Sequence, residues 1–280
     1  MDSQNLTPTP IRCGNTEFRW GERTYIMGVL NLTPDSFSGD GLSADTGAAL
    51  AQARRFTAQG ADIIDIGGES TRPNGQAVSA DEEIRRVIPA IERLAGELSV
   101  PVSIDTYKAS VARRAVAAGA RMINDVWGLR QDAGLAQVAA EAGLPLVLTS
   151  NQRDRPTADI ISGIVSDLER AILQAIAAGV PRENIIIDPG IGFGKSLRQN
   201  LEILRRLAEL KQLGRPILLG TSRKSMIGLV LDLPVEERLL GTAATVAIGI
   251  ANGADIVRVH DVEQMREVSR MSDAIVRGIE

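Results

Sequence analysis

Eight short runs rich in apolar and β-branched residues, each followed by a stretch with helical spacing, constrain the fold of this chain more than any other feature. The runs occupy residues 25–33, 62–69, 101–106, 121–126, 145–150, 184–189, 216–221 and 255–260. The stretches 45–60, 81–98, 109–119, 135–143, 159–179, 197–213, 236–253 and 262–278 repeat apolar side chains every three or four residues. Most of them end on a glycine, the residue suited to a left-handed helix terminus. Strict alternation of this kind predicts parallel strands, because each return must cross over through a helix. Strand starts advance from 25 to 255, a mean step of about 33 residues, close to one βαβ unit.

Eight units in 280 residues predict a (β/α)8 TIM barrel, whose usual size is about 250 residues. An open doubly wound sheet is the rival arrangement. Residues 1–24 predict a short β-hairpin extension, turning at Gly14-Asn15 and covering one end of a single barrel domain at 25–280.

Composition narrows the function. The chain carries 31 Lys and Arg against 35 Asp and Glu, with 3% aromatic residues. It lacks the basic field and stacking platforms of a nucleic-acid binder. Apolar runs such as 185–187 fall far short of a membrane span. The start shows no basic region followed by an apolar one, so the cytoplasm is the expected compartment. One cysteine and one histidine exclude a disulfide framework, a Cys-rich zinc site and a pair of histidine ligands. No G-x-S-x-G accompanies the histidine, which argues against a serine hydrolase.

The strands begin apolar and finish polar, with Asn31, Asp105, Asn124, Asp125 and Asp188 at their ends. Arg258 and His260 stand two residues apart, on one face of the last strand. A single aspartate closing a strand is ordinarily a cap or a paired structural carboxylate. The same habit on four strands marks a site, because barrel chemistry sits at the carboxyl ends of the strands. Clustered Asp and Asn supply acceptors for a heterocycle rich in N–H donors. Arg223, Lys224, Arg258 and His260 place positive charge by the last two strands, where barrels often hold phosphate. DPGIGFGKS is not a phosphate loop: the first glycine of that motif would fall at Pro189.

The segments MGVLNLTPDSFSGDG, DIGGESTRP, SIDT, IND, DPGIGFGK, TSRKS and RVHD occur in this order. Together they closely resemble the dihydropteroate synthase family. The resemblance implies condensation of 6-hydroxymethyl-7,8-dihydropterin diphosphate with p-aminobenzoate, giving 7,8-dihydropteroate and pyrophosphate by an SN1-like path with Mg²⁺. It implies a homodimer and small-molecule substrates as partners. It assigns the pterin to Asp105, Asn124, Asp188 and Lys224, with Asp105, Lys224 and Asp188 as the catalytic set, and Asn31 to the metal. It places Thr71, Arg258 and His260 at the diphosphate. Thr71, Arg72, Pro73, Phe193, Lys224 and Ser225 then lie around p-aminobenzoate, with mobile loops at 33–43 and 70–80. Two departures stand out. The fifth strand ends Leu148-Thr149-Ser150-Asn151, where the family commonly has Met-His-Met, its methionine packing on the pterin. The first loop reads Ser38-Gly39-Asp40-Gly41 in place of Ser-Asp-Gly-Gly. No insertion accompanies Arg72-Pro73, which implies sensitivity to sulfonamides. The alternatives are a methyltetrahydrofolate-type pterin methyltransferase barrel and a non-catalytic pterin-binding paralogue.

Overall fold

The computed structural model describes residues 8–33, 46–70, 77–155 and 157–278. The chain starts with an antiparallel hairpin of β1 (Ile11–Cys13) and β2 (Thr16–Phe18), turning at Gly14 and Asn15 as expected. Strands and helices then alternate: β3 (Tyr25–Asn31), α1 (Thr46–Gln59), β4 (Ile63–Gly67), α2 (Ala80–Glu97), β5 (Val102–Asp105) and α3 (Ala109–Ala117). Next come β6 (Met122–Asp125), α4 (Gly134–Ala142), β7 (Leu146–Thr149), α5 (Ile160–Ala177), β8 (Ile185–Asp188) and α6 (Leu197–Arg205). The last third holds β9 (Leu218–Leu219), α7 (Ser225–Leu231), α8 (Leu239–Ala251), β10 (Ile256–Val259) and α9 (Val262–Arg277).

The eight-stranded sheet runs β8-β7-β6-β5-β4-β3-β10-β9 with every pair parallel. A parallel bridge from Ile187 to Ile217 joins its two ends, and Ile187 N–H donates to the Pro216 carbonyl at 2.9 Å. The fold is a (β/α)8 barrel. An open doubly wound sheet, whose outer strands stay unpaired, is excluded.

Strand alternation sorts the core into two compartments. Ile26, Ile64, Ile104, Ile123, Leu146, Ile187 and Val257 face outward and pack under the helices. Residues of opposite parity, Tyr25, Met27, Ile63, Met122, Val147, Ile186, Leu218 and Ile256, fill the barrel floor together with Phe18 and Trp20 of the hairpin region. The hairpin therefore plugs the amino end. Its rings interlock: Phe18 and Tyr25 meet edge to face at 4.8 Å, and Trp20 and Tyr25 at 5.6 Å.

The outer elements depart from expectation in two places. The helical stretch 197–213 divides into α6 and a 3-10 segment at Leu207–Leu213. A seven-residue helix, α7, follows β9 ahead of the expected one. β9 itself is reduced to two residues, because Pro216 supplies no N–H to the ladder and Gly220 ends the run.

Candidate active site

The inward parity that fills the floor with apolar groups turns polar one layer higher. Asp65, Asp105, Asn124, Thr149, Asp188 and Arg258 stand two residues beyond inward residues of the lower layers, and so point into the barrel mouth. Arg258 binds the group together: its Nε donates to Asp65 Oδ2 at 2.7 Å and its Nη2 to Asp105 Oδ2 at 2.7 Å. Asn124 Nδ2 donates to the same Asp65 oxygen at 3.0 Å. The second oxygens, Asp65 Oδ1 and Asp105 Oδ1, and Asn124 Oδ1 have no partner among the described residues. Three buried acceptors thus share one opening. Unpaired buried acceptors are costly, and a ligand rich in N–H donors would relieve that cost.

Burial dominates the charges here. It raises the Asp105 carboxyl to about 7 against the pull of Arg258, and it raises Asp188 as well. It disfavours the charge on Arg258, but the Asp65 and Asp105 carboxylates more than offset this and lift its pKa. Lys224 is lowered to about 8, by burial and then by Arg258. Its Nζ lies 4.6 Å from the centre of the Phe193 ring, with the Arg153 guanidinium 4.9 Å from the same ring.

The loop after β8 is locked to the loop after β7. Lys195 Nζ donates to the carbonyls of Ser150 at 2.8 Å and Gly190 at 2.9 Å. Gly190 (φ 70°) donates its N–H to Asp188 Oδ1 at 2.7 Å. A Cβ there would lie 2.0 Å from the Ser150 carbonyl oxygen, so only glycine fits.

The structure brings Asp105, Asn124, Asp188, Phe193, Lys224 and Arg258 to one mouth. Asn31 and His260 line a recess of ≈ 300 Å³ beside it, with Gln52, Arg55 and Arg223. Ser225 opens α7 and is exposed. Thr71, Arg72 and Pro73, the substituted first loop with Asp40, and most of the two expected mobile loops lie outside the described residues. Two expectations about charge are corrected. Arg223 is engaged with Asp261, its Nε donating at 3.0 Å. His260 is not a standing cation: burial, then Arg258 and Arg223, lower it to about 3, and its Nδ1 lies 3.0 Å from Ser222 Oγ. Asp125 has outward parity, and its carboxylate accepts from the N–H groups of Trp127 at 2.8 Å and Leu129 at 2.6 Å.

Sequence reasoning missed Asp65, a carboxylate in the middle of β4 rather than at its end. The signal was present, since Asp65 shares the parity of Ile63. It also missed Lys195, which reads as the tail of a failed phosphate loop.

Among the described residues no three Asp, Glu, His or Cys side chains gather as a metal site. Asn31 offers one amide oxygen. That suits a magnesium ion that keeps its waters and takes phosphate oxygens from a substrate.

A family model for pterin binding enzymes matches residues 27–260. The dihydropteroate synthase of Clostridium beijerinckii is 53% identical over 268 residues, covering 95% of this chain and all of that protein. The chain belongs to the dihydropteroate synthase family. Among solved structures, a Clostridium difficile dihydropteroate synthase in the presence of pteroic acid superposes with a TM-score of 0.89. It is 52% identical and covers 93% of this chain and 99% of its own. Dihydropteroate synthase of Xanthomonas albilineans with 4-aminobenzoic acid gives a TM-score of 0.90 at 41% identity, covering 96% of this chain and 98% of its own. Membership of the family accounts for the donor-hungry mouth.

Proposed function

We propose that the protein condenses 6-hydroxymethyl-7,8-dihydropterin diphosphate with p-aminobenzoate, giving 7,8-dihydropteroate and pyrophosphate. The observation that carries the reading is the set of unpaired acceptors, Asp65 Oδ1, Asp105 Oδ1 and Asn124 Oδ1, held in place by Arg258. A pterin presents adjacent N–H donors to such a set, and buried carboxylates bind them more strongly than exposed ones.

In this reading Asp105 and Asp188 anchor the ring, and their negative charge favours the cation that develops as the methylene–oxygen bond lengthens. Arg258, Lys224 and Thr71 face the negative charge gathering on pyrophosphate. His260 joins them as a neutral hydrogen-bond donor. Asn31 would hold Mg²⁺, which when bound supplies positive charge to the leaving group. Phe193, Lys224 and Ser225 would take p-aminobenzoate, and the family resemblance assigns residues 71–73 to the same ligand. The arylamine nitrogen is neutral near pH 7 and attacks with its own lone pair; the proton it sheds passes to water. No nucleophilic side chain or strong base is required. The path is SN1-like, because the carboxylates stabilise charge on the pterin before the new bond is complete.

We take residues 1–24 as an extension of the barrel at 25–280, not a separate unit, since Phe18 and Trp20 pack into the barrel floor. We also propose a homodimer formed through α7, α8 and α9, which expose Leu229, Leu240, Ile248, Met271 and Ile275. No described helix is long and apolar enough to cross a membrane. The free, buried Cys13 is in keeping with a reducing cytoplasm.

The test is pyrophosphate release with both substrates, with and without Mg²⁺. Turnover that needs both substrates is expected, and Asp105→Ala and Lys224→Ala should each lower it at least ~100-fold, the loss typical of removing a group that stabilises transition-state charge. Pterin binding without pyrophosphate release would refute the reading.

A further inference from the structure

An inward hydroxyl beside Asp188 is uncommitted. Thr149 ends β7. Val147, two residues earlier, belongs to the barrel floor, so alternation turns the Thr149 side chain into the mouth. The ladder fixes its height: Thr149 pairs with Asp188 on β8, and Leu148 pairs with Asp125, the residue after Asn124, on β6. Thr149 therefore stands beside Asp188, two residues further along β7 than Val147, the register partner of Asn124. It is 2% exposed, and its Oγ1 has no hydrogen-bond partner among the described residues. A buried hydroxyl left unpaired is unfavourable, and a threonine ordinarily spends it on a nearby backbone group.

The chemistry of the neighbours says what this hydroxyl is for. Asp65 Oδ1 and Asn124 Oδ1 accept, as does Asp105 Oδ1 when ionised. A pterin ring carries a carbonyl and ring nitrogens beside its N–H donors, and those atoms need donors. Arg258 already serves two carboxylates, and Lys224 comes from the loop after β9. On the β6–β8 side, Thr149 is a neutral inward donor beside Asp188. Ser103 also has an unpaired hydroxyl, but it stands two residues before Asp105 on β5, between Asp65 of β4 and Met122 of β6 and away from the β6–β8 side.

We infer that Thr149 Oγ–H donates a hydrogen bond to an acceptor atom of the pterin ring, which makes Thr149 a substrate-binding residue that sets affinity for the ring. The inference rests on the pterin reading above. Its test is calorimetric titration of wild type, Thr149→Val, Thr149→Ala and Thr149→Ser with 6-hydroxymethyl-7,8-dihydropterin, alongside the KM for each substrate and the melting temperature. Serine and alanine differ only in the hydroxyl, so that pair decides the matter even if the valine variant misfolds. Loss of the donor should weaken ring binding about tenfold in Ala and Val, while Ser stays within about twofold of wild type. KM for the pterin diphosphate should rise by the same factor and that for p-aminobenzoate should hold. Valine, which removes an unpaired buried hydroxyl, should not lower the melting temperature. Equal binding by Ala and Ser overturns the inference alone. Failure of the wild type to bind the ring overturns both readings.

Discussion

At the scale of single residues, the mouth places carboxylates where their charge is costly. Asp105 shows the consequence. Its carboxyl rises from 3.8 to about 7 on folding, chiefly through burial. Between those values the folded protein binds the proton that the unfolded chain has released. Asp105 therefore adds stability below about pH 4 and loses it as pH climbs towards about 7. Function runs the other way, since only the ionised carboxylate can accept from two directions. Pterin affinity should fall as pH drops through about 7. Asp105→Asn should remove the acid-side stability difference, melt no lower than wild type at pH 8, and lose most of its turnover. Melting temperature against pH for the two proteins checks the sign. A wild-type profile without that slope, parallel to the variant's, would show that Asp105 is ionised throughout.

At the scale of elements, Lys108 ties the start of α2 to the loop that leaves β4. Its Nζ donates to Glu83 Oε2 at 2.6 Å and also to Glu69. Tyr107 Oη donates to Glu69 at 2.8 Å. Glu83 is buried and is raised by that burial. Lys108→Met would leave the carboxylate without its cation, a loss of about 3 kcal/mol by analogy with other broken buried pairs. Urea denaturation measures it. A loss below about 1 kcal/mol would mean that Glu83 simply takes up a proton.

Elements with long periodic stretches were legible in sequence. β3 to β8, β10 and the helices α1, α3 and α5 lie within the expected spans, and α2 and α4 each start one residue earlier, because one buried face imposes the period on enough residues to be seen. α7 was not legible. Seven residues hold barely two turns, and the apolar run Met226–Leu231 shows no stripe because Leu229, Val230 and Leu231 are exposed while Met226 and Ile227 are buried. The site divided in the same way. Asp105, Asn124 and Asp188 stand at or next to the ends of their strands and were visible as polar endings, whereas Asp65, in the middle of β4, acquires meaning only through parity with Ile63 of the floor. The charge state of His260 needed the third dimension, since burial, and after it Arg258 and Arg223, lowers its pKa.

At the scale of the whole molecule, α8 and α9 pack on one another and leave apolar side chains outside. Leu240 and Ile248 are eight residues apart on α8, and Met271 and Ile275 are four apart on α9. Those spacings place each pair on one stripe of its helix. A second copy of the chain would cover this surface. Light scattering should report a dimer, and Leu240→Glu combined with Ile275→Glu should shift it to monomer while leaving the barrel folded. A monomer at all concentrations in the wild type would remove the dimer proposal. Sulfonamides share the arylamine end of p-aminobenzoate, so they should inhibit in competition with it. Inhibition unchanged by raising p-aminobenzoate would place them elsewhere.

The packed floor, backed by the aromatic rings of the hairpin, makes the barrel mouth a cul-de-sac. Traffic must pass through a single doorway, and the deepest berth has to be taken first. On the proposed reading, a pterin settling against Asp105 and Asn124 would become part of the wall that the arylamine meets. On that reading p-aminobenzoate offered alone should bind more weakly than in the presence of the pterin, which titration of each alone and of both together would check.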